Sequence, residues 1–193
     1  KLSIQHLQMR WALFNEEERG KRFDTFAKNL IQQIDTLSAI AGEFSSFAHL
    51  GESEFEKIDL SQIIKSAVDV YNWTNNVEVT FNNDQELIIL GNKDQMLRVF
   101  NNLIKNAIQA IPNEKDGLVR VYFNENNEGF LRIVVEDNGV GITRANYKRI
   151  FVPNFTTKSS GMGLGLAMVQ KIIENMGGHI YFETEENVGT KFI

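Results

Sequence analysis

The sequence predicts an α+β protein, with an N-terminal helical hairpin followed by an α/β sandwich. Three observations predict it. Apolar residues recur at steps of three and four from Phe23 to Ala48, as in the seam of a coiled coil. Beyond residue 57, runs of period two alternate with runs of helical period, the mixture expected of strands and helices in one layered domain. Between the two textures lies the short charged stretch Gly51-Glu-Ser-Glu-Phe-Glu-Lys57. The chain therefore divides into a hairpin over residues 1–50, a linker over 51–57 and a second domain over 58–193.

Each element has its own signal. Leu2, Ile4, Leu7, Trp11 and Phe14 mark a short amphipathic helix, and Asn15-Glu-Glu-Glu-Arg-Gly20 is a polar stretch expected to turn. Phe23, Phe26, Leu30, Ile34, Leu37, Ala41, Phe44 and Ala48 then define one long helix. Two helices cannot cover such a stripe between themselves, so the hairpin predicts a homodimer that completes a four-helix bundle. Further on, the spacing predicts a helix over 60–73, strands over 77–81 and 87–90, and a helix over 94–110 with Asp94 near its start. Residues 118–123 and 130–135 alternate as paired antiparallel strands around a turn-prone 124–129. A helix over 163–176 ends at Gly177-Gly178, and strands over 179–184 and 190–193 close the chain. The helices are expected on one face of the sheet.

Composition removes several chemistries. The 193 residues, 42% of them hydrophobic, can bury the core of one ordinary domain or two small ones. With no cysteine there is neither a disulfide nor a thiolate zinc site, and the three histidines lack metal-binding spacing, so any metal is oxygen-ligated. A formal net charge of -5 argues against a nucleic-acid partner. No apolar run reaches the roughly 20 residues of a spanning helix. The expectation is a soluble, cytoplasmic piece, attached to a membrane only through segments upstream of Lys1.

Four motifs carry the chemistry. Asn102-Leu-Ile-Lys-Asn106-Ala107 places two carboxamides four residues apart on a helix face; such neutral oxygens suit Mg²⁺, which takes its other ligands from water and phosphate. Asp137-Asn-Gly139-Val-Gly141 follows an apolar strand, so its carboxylate sits where the chain leaves the core. Phe151-Val-Pro-Asn-Phe155-Thr-Thr-Lys158 comes next. Gly161-Met-Gly163-Leu-Gly165-Leu166 then opens a helix, whose first N–H groups and dipole favour phosphate. Other glycine signatures fail. Arg144 and Leu166 stand where a dinucleotide fingerprint needs glycine, and no P-loop is present.

In this order the four motifs resemble the Bergerat-type ATP-binding domain shared by sensor histidine kinases, Hsp90, MutL and type II topoisomerases. The resemblance implies ATP and Mg²⁺ as cofactors, with Asn106 and Asn102 on the metal. It implies that Asp137 accepts the adenine amine, with Gly139, Gly141 and Ile142 beneath the base. Phe151 and Phe155 would anchor a lid on which Thr157 and Lys158 meet the phosphates, Lys158 acting with Asn102 and Asn106 in catalysis. Gly161, Gly163, Leu164, Gly165 and Leu166 would line the phosphate end. The family often has Phe before the second anchor and Thr inside the last glycine motif; here Asn154 and Met162 stand instead.

Hydrolysing members carry a Glu four residues before the metal-binding Asn, where it activates water. That position is Asn102, which cannot take up a proton. With a hairpin directly N-terminal, the chain resembles a sensor kinase of the nitrogen-regulation type, Glu43-Phe-Ser-Ser-Phe-Ala48 matching the end of its second hairpin helix. This implies transfer of the γ-phosphoryl to a hairpin histidine and then to the Asp of a response regulator. The family's acceptor motif, His followed by an acidic residue and Asn-Pro, has no match here, and His6 lacks the acidic neighbour. The acceptor is expected upstream of Lys1; His49 and His179 are read as structural. An ATPase of the same superfamily, a non-catalytic ATP-binding scaffold and an unrelated α/β binding protein are the competing readings.

Overall fold

In the computed structural model, the described residues are 16–48, 54–71, 76–83, 85–125, 131–158 and 162–193. The first helix expected over 1–14, with His6, lies outside them, as do His49, most of the linker, Trp73 and Gly161. The chain divides into two compact units between Ser45 and Ser46.

The first unit is dominated by helix α1, Glu16–Ala48. The polar stretch expected to turn is helical from Glu16 onward, because Glu, Arg and Lys are good helix formers and acidic side chains favour a helix N-terminus. Phe23, Leu30, Ile34 and Leu37 of the expected stripe are exposed, as is Ile31 beside them.

The second unit holds strands β1 (Glu56–Asp59), β2 (Val77–Phe81), β3 (Ile88–Gly91), β4 (Gly117–Glu125), β5 (Leu131–Asp137), β6 (Phe182–Glu185) and β7 (Gly189–Phe192). Its helices are α2 (Leu60–Asp69), α3 (Lys93–Ala110) and α4 (Gly165–Asn175), with a 3₁₀ turn at Arg144–Asn146. Five strands form one sheet in the order β2-β4-β5-β7-β6, and β1 pairs antiparallel with β3 in a separate two-stranded sheet. The large sheet is mixed. β2 runs parallel to β4, Val79 opposite Val119, while the other neighbours are antiparallel.

Burial follows the pleat. Val79, Val119, Val121, Val135 and Phe192 point from the sheet into the same core as Ile63, Ile64 and Ala67 of α2, Val99, Phe100 and Ile104 of α3 and Val169 and Ile172 of α4. On the opposite face Glu136 pairs with Arg120 at 3.0 Å and with Lys191 at 3.5 Å. Helices thus cover one face and a charged network the other.

Side-chain caps set the starts of α2 and α3. Asp59 caps α2, accepting from Ser61 N at 3.0 Å, and also accepts from Leu87 N at 3.2 Å, which ties the helix to the approach to β3; these backbone donors hold its carboxyl below the usual carboxylate range against the opposing effect of burial. Asn92 caps α3 through Gln95 N at 3.0 Å, so Asp94 sits in the first turn, where its charge suits the dipole. α2 stops at Asp69 rather than at Trp73, because Val70 has left the core-facing stripe and Tyr71 N turns back to Val68 O.

Candidate functional site

The motif residues gather around α3 and the C-terminal end of β5. Asp137, the last residue of β5, is 5% exposed. Its Oδ1 accepts from Gly139 N at 2.8 Å, and a second backbone donor comes from Thr190, which pairs with it from the neighbouring β7. Burial outweighs these donors and raises its pKa to about 6. A buried carboxylate with acceptor capacity to spare is suited to an exocyclic amine.

The turn that carries Asp137 is fastened on two sides. Asn138 accepts from Leu118 N at 2.9 Å and donates to Asp116 O at 3.0 Å, while its carbonyl accepts from Lys115 Nζ. Val140 N donates to Ala110 O, at the end of α3, at 2.9 Å. Gly139 packs so closely there that a Cβ would meet the Ala110 oxygen at 2.6 Å. Further along, Ile142 N donates to Thr184 Oγ1 at 2.9 Å, and Thr184 Oγ1 lies 3.1 Å from Thr190 Oγ1. Thr184 and Thr190 thus stand behind Asp137, and the sequence reading missed both. Nothing local distinguishes them, because only the β5–β7 and β6–β7 registers bring them there.

At the other end, α3 presents Asn102, Asn106 and Gln109 at helical spacings of four and three. Asn102 donates to Arg98 O at 2.8 Å, and its Oδ1 lies 2.6 Å from where a Gly165 Cβ would stand, so its carboxamide reaches the start of α4. The Asn106 Oδ1 instead accepts from Lys158 Nζ at 3.0 Å. Lys158 Nζ donates also to Gln109 Oε1 at 2.6 Å. Gln109 was missed in the sequence, although its three-residue step from Asn106 would have flagged it. Burial, followed by repulsion from Lys105, pushes the Lys158 ammonium below the ordinary lysine value, and the Asp137 charge acts against both. Asp137 and Lys158 therefore sense one another across a single site.

A divalent cation fits this donor set in one respect: the oxygens of Asn106 and Gln109 already gather an ammonium. Among the described residues no group of three or more His, Asp or Glu could enclose a metal. Such an ion would draw its remaining ligands from phosphate and water.

The segment between the second and fourth motifs is pinned by aromatic contacts. Phe151 packs against Phe182 and Phe192, with centroids 6.2 and 6.4 Å apart, and Arg149 lies over the Phe155 ring at 4.3 Å. Thr157 is exposed, and Lys158 N is held by Thr156 Oγ1 at 3.0 Å. Gly163 adopts φ 69° with a Cβ position that would clash with Phe155 O, so only glycine fits there. The helix after it begins two residues later than the sequence suggested, at Gly165, because Gly163 is in this left-handed conformation. Leu164 is buried, Leu166 is half-buried, and no side chain caps α4. That bare N-terminus can receive an anion.

Comparisons with known proteins give the chain its relatives. Residues 91–193 match the family model described as histidine kinase-, DNA gyrase B- and HSP90-like ATPase. The sensor histidine kinase ZraS of Klebsiella oxytoca is 30% identical over 167 residues, covering 84% of this chain and 36% of that protein. Nitrogen regulation protein NtrY of Azorhizobium caulinodans is 31% identical over 185 residues, 93% of this chain and 24% of its own length. The chain thus spans about a quarter to a third of these two relatives. Among solved structures, the nucleotide-free catalytic domain of histidine kinase ThkA superposes with a TM-score of 0.62 at 31% identity, covering 72% of this chain and 93% of that domain.

Proposed function

Because the chain belongs to the histidine kinase-, DNA gyrase B- and HSP90-like ATPase family, among relatives that are two-component sensor histidine kinases, we propose that it is the catalytic core of such a kinase. It binds Mg²⁺·ATP and passes the γ-phosphoryl to a histidine, from which a response regulator aspartate takes it. One observation carries this reading: the turn after the buried Asp137 is bonded through Val140 N to Ala110 O, at the end of the helix whose Asn106 holds Lys158.

Each residue then has a task. The ionised Asp137 accepts the adenine amine, and the fastened turn at Asn138 and Gly139 keeps that acceptor fixed. Gly141 and Ile142 continue the wall beneath the base, while Phe151 and Phe155 hold the lid segment on its aromatic anchors. Phosphates meet the N-terminus of α4, built from Gly163, Leu164, Gly165 and Leu166 with Gly161 before it, and Thr157 and Lys158 approach from the lid. Asn106 and Asn102 would hold Mg²⁺, which supplies charge neutralisation at the phosphates. The chain's own contribution is mainly positioning. Asn102 cannot remove a proton from water, which supports transfer to a protein nucleophile over hydrolysis.

Residues 1–50 serve as the dimerising hairpin in this reading, 51–57 as linker and 58–193 as the ATP-binding domain. The exposed apolar side chains of α1 support pairing with a second copy. No helix among the described residues is long and apolar enough to cross a membrane; the site works on the cytoplasmic side, where ATP and response regulators are found.

The test is to incubate the full gene product with Mg²⁺ and γ-labelled ATP. Acid-labile, base-stable label on the protein, lost in Asn106→Asp, is the expected result. Tight binding without label would favour a nucleotide-binding scaffold, sustained phosphate release an ATPase. Failure to bind any adenine nucleotide would overturn the reading altogether.

A further inference from the structure

The contact between Lys158 and two carboxamides of α3 points beyond phosphate binding. The ammonium donates to Asn106 Oδ1 at 3.0 Å and Gln109 Oε1 at 2.6 Å. It does so although Lys105, on the same helix, repels it. These two oxygens lie on one face of α3, three residues apart, so they form a preformed cradle for a single cation. Asn106 is also the residue that the proposed function gives to Mg²⁺.

The geometry points to Gln109 as a positioning residue that parks the Lys158 ammonium on Asn106 until Mg²⁺·nucleotide displaces it. The inference rests on the reading of this end of α3 as the metal and phosphate end. Two cations cannot share the Asn106 oxygen without an anion between them, because like charges a few ångströms apart repel and a carboxamide carries no net charge to offset them. A free divalent ion is therefore kept out while Lys158 is parked. A nucleotide's phosphate offers the ammonium a stronger, charge-assisted partner, and the transfer of Lys158 to phosphate frees Asn106 for the metal. Gln109 holds the lysine in the resting state only, so it opposes binding by the amount that its hydrogen bond contributes there.

The test is calorimetric titration of Mg²⁺·ADP into four proteins: wild type, Gln109→Leu, Lys158→Met and the double variant. Leucine keeps the helix propensity and removes the acceptor. Gln109→Leu is expected to tighten binding by roughly three- to tenfold, the scale of a lost hydrogen bond to a charged group at a partly exposed site. In the Lys158→Met background the same change is expected to do nothing, because the coupling runs through the lysine. An unchanged or weakened affinity in Gln109→Leu would overturn the inference, as would an equal effect in both backgrounds. If wild type itself fails to bind Mg²⁺·ADP, the nucleotide reading falls; if wild type binds and only the expected shift is missing, the parking role alone falls.

Discussion

Nucleotide affinity should weaken as pH falls through about 6, and Asp137 should be the cause. Its carboxyl is 5% exposed, and burial raises its pKa from 3.8 to about 6. The sign follows from which form binds. The ionised carboxylate is the better acceptor for an amine, so binding is fully available above the folded pKa and is lost as the group protonates below it. For a ligand that takes only the ionised form, the apparent Kd scales as one plus the ratio of protonated to ionised Asp137. With a pKa of about 6, that factor is about 1.1 at pH 7 and about 11 at pH 5, a tenfold loss over two pH units. The assay is a fluorescence or calorimetric titration of ADP from pH 5 to 8 on wild type and Asp137→Asn. The phosphates titrate equally in both, so the ratio of the two Kd profiles isolates the carboxyl. Asparagine should bind more weakly throughout, and the gap between the proteins should narrow as pH falls. Parallel profiles, with the same slope in both proteins, would refute the assignment of Asp137 as a titrating ligand for the base.

Three further outcomes are expected. Since the folded pKa of Asp137 is raised by about two units, its ionised form costs the native state about 3 kcal/mol at neutral pH; this penalty grows as pH rises from about 4 to about 6. Asp137→Asn, which escapes the penalty but gives up one of the two side-chain oxygens that accept from backbone N–H groups, should therefore melt above wild type by an amount that grows over that window, as differential scanning calorimetry at pH 4 and 7 would reveal. Lys158→Met should weaken ATP about tenfold through loss of a charge-assisted contact and leave adenosine unchanged, so a matching loss for both ligands would place the lysine away from phosphate. Gly163→Ala, which forces a side chain onto φ 69° and against Phe155 O, should cost about 1–3 kcal/mol. An unaltered Tm would mean that the turn relaxes freely.

Much of the second unit could be read from local pattern. The alternation Val77, Val79, Phe81 delimits β2, and the apolar positions Met96, Val99, Phe100, Leu103, Ile104 and Ala107 recur at helical spacing along α3. What escaped depends on contacts distant in sequence. The parallel pairing of β2 with β4, the separate pairing of β1 with β3 and the meeting of Asp137 with Thr190 are properties of register, which no window of a few residues contains. The polar stretch from Glu16 to Gly20 misled for the opposite reason, since polarity marks exposure and an exposed helix is as polar as a turn. The motif residues stood out because strong patterns frame them: Asp137 ends β5, Asn102 and Asn106 share one face of α3, and Gly165 opens α4. Gln109 was overlooked although it stands one helical step past Asn106, because what marks it out, its bond to Lys158, spans 49 residues.

The stitching of Asn138 to Asp116 and Leu118, with Val140 bonded to Ala110, has a consequence for inhibitor design. The wall bearing Asp137 is braced by the chain's own bonds, so on the proposed function a small heterocycle with an amine donor would lose little on ordering it. Potency gained there would be shared with every protein that carries the same brace. On the proposed function, selectivity would come from the opposite end, where an inhibitor would compete with Lys158 for Asn106 and Gln109.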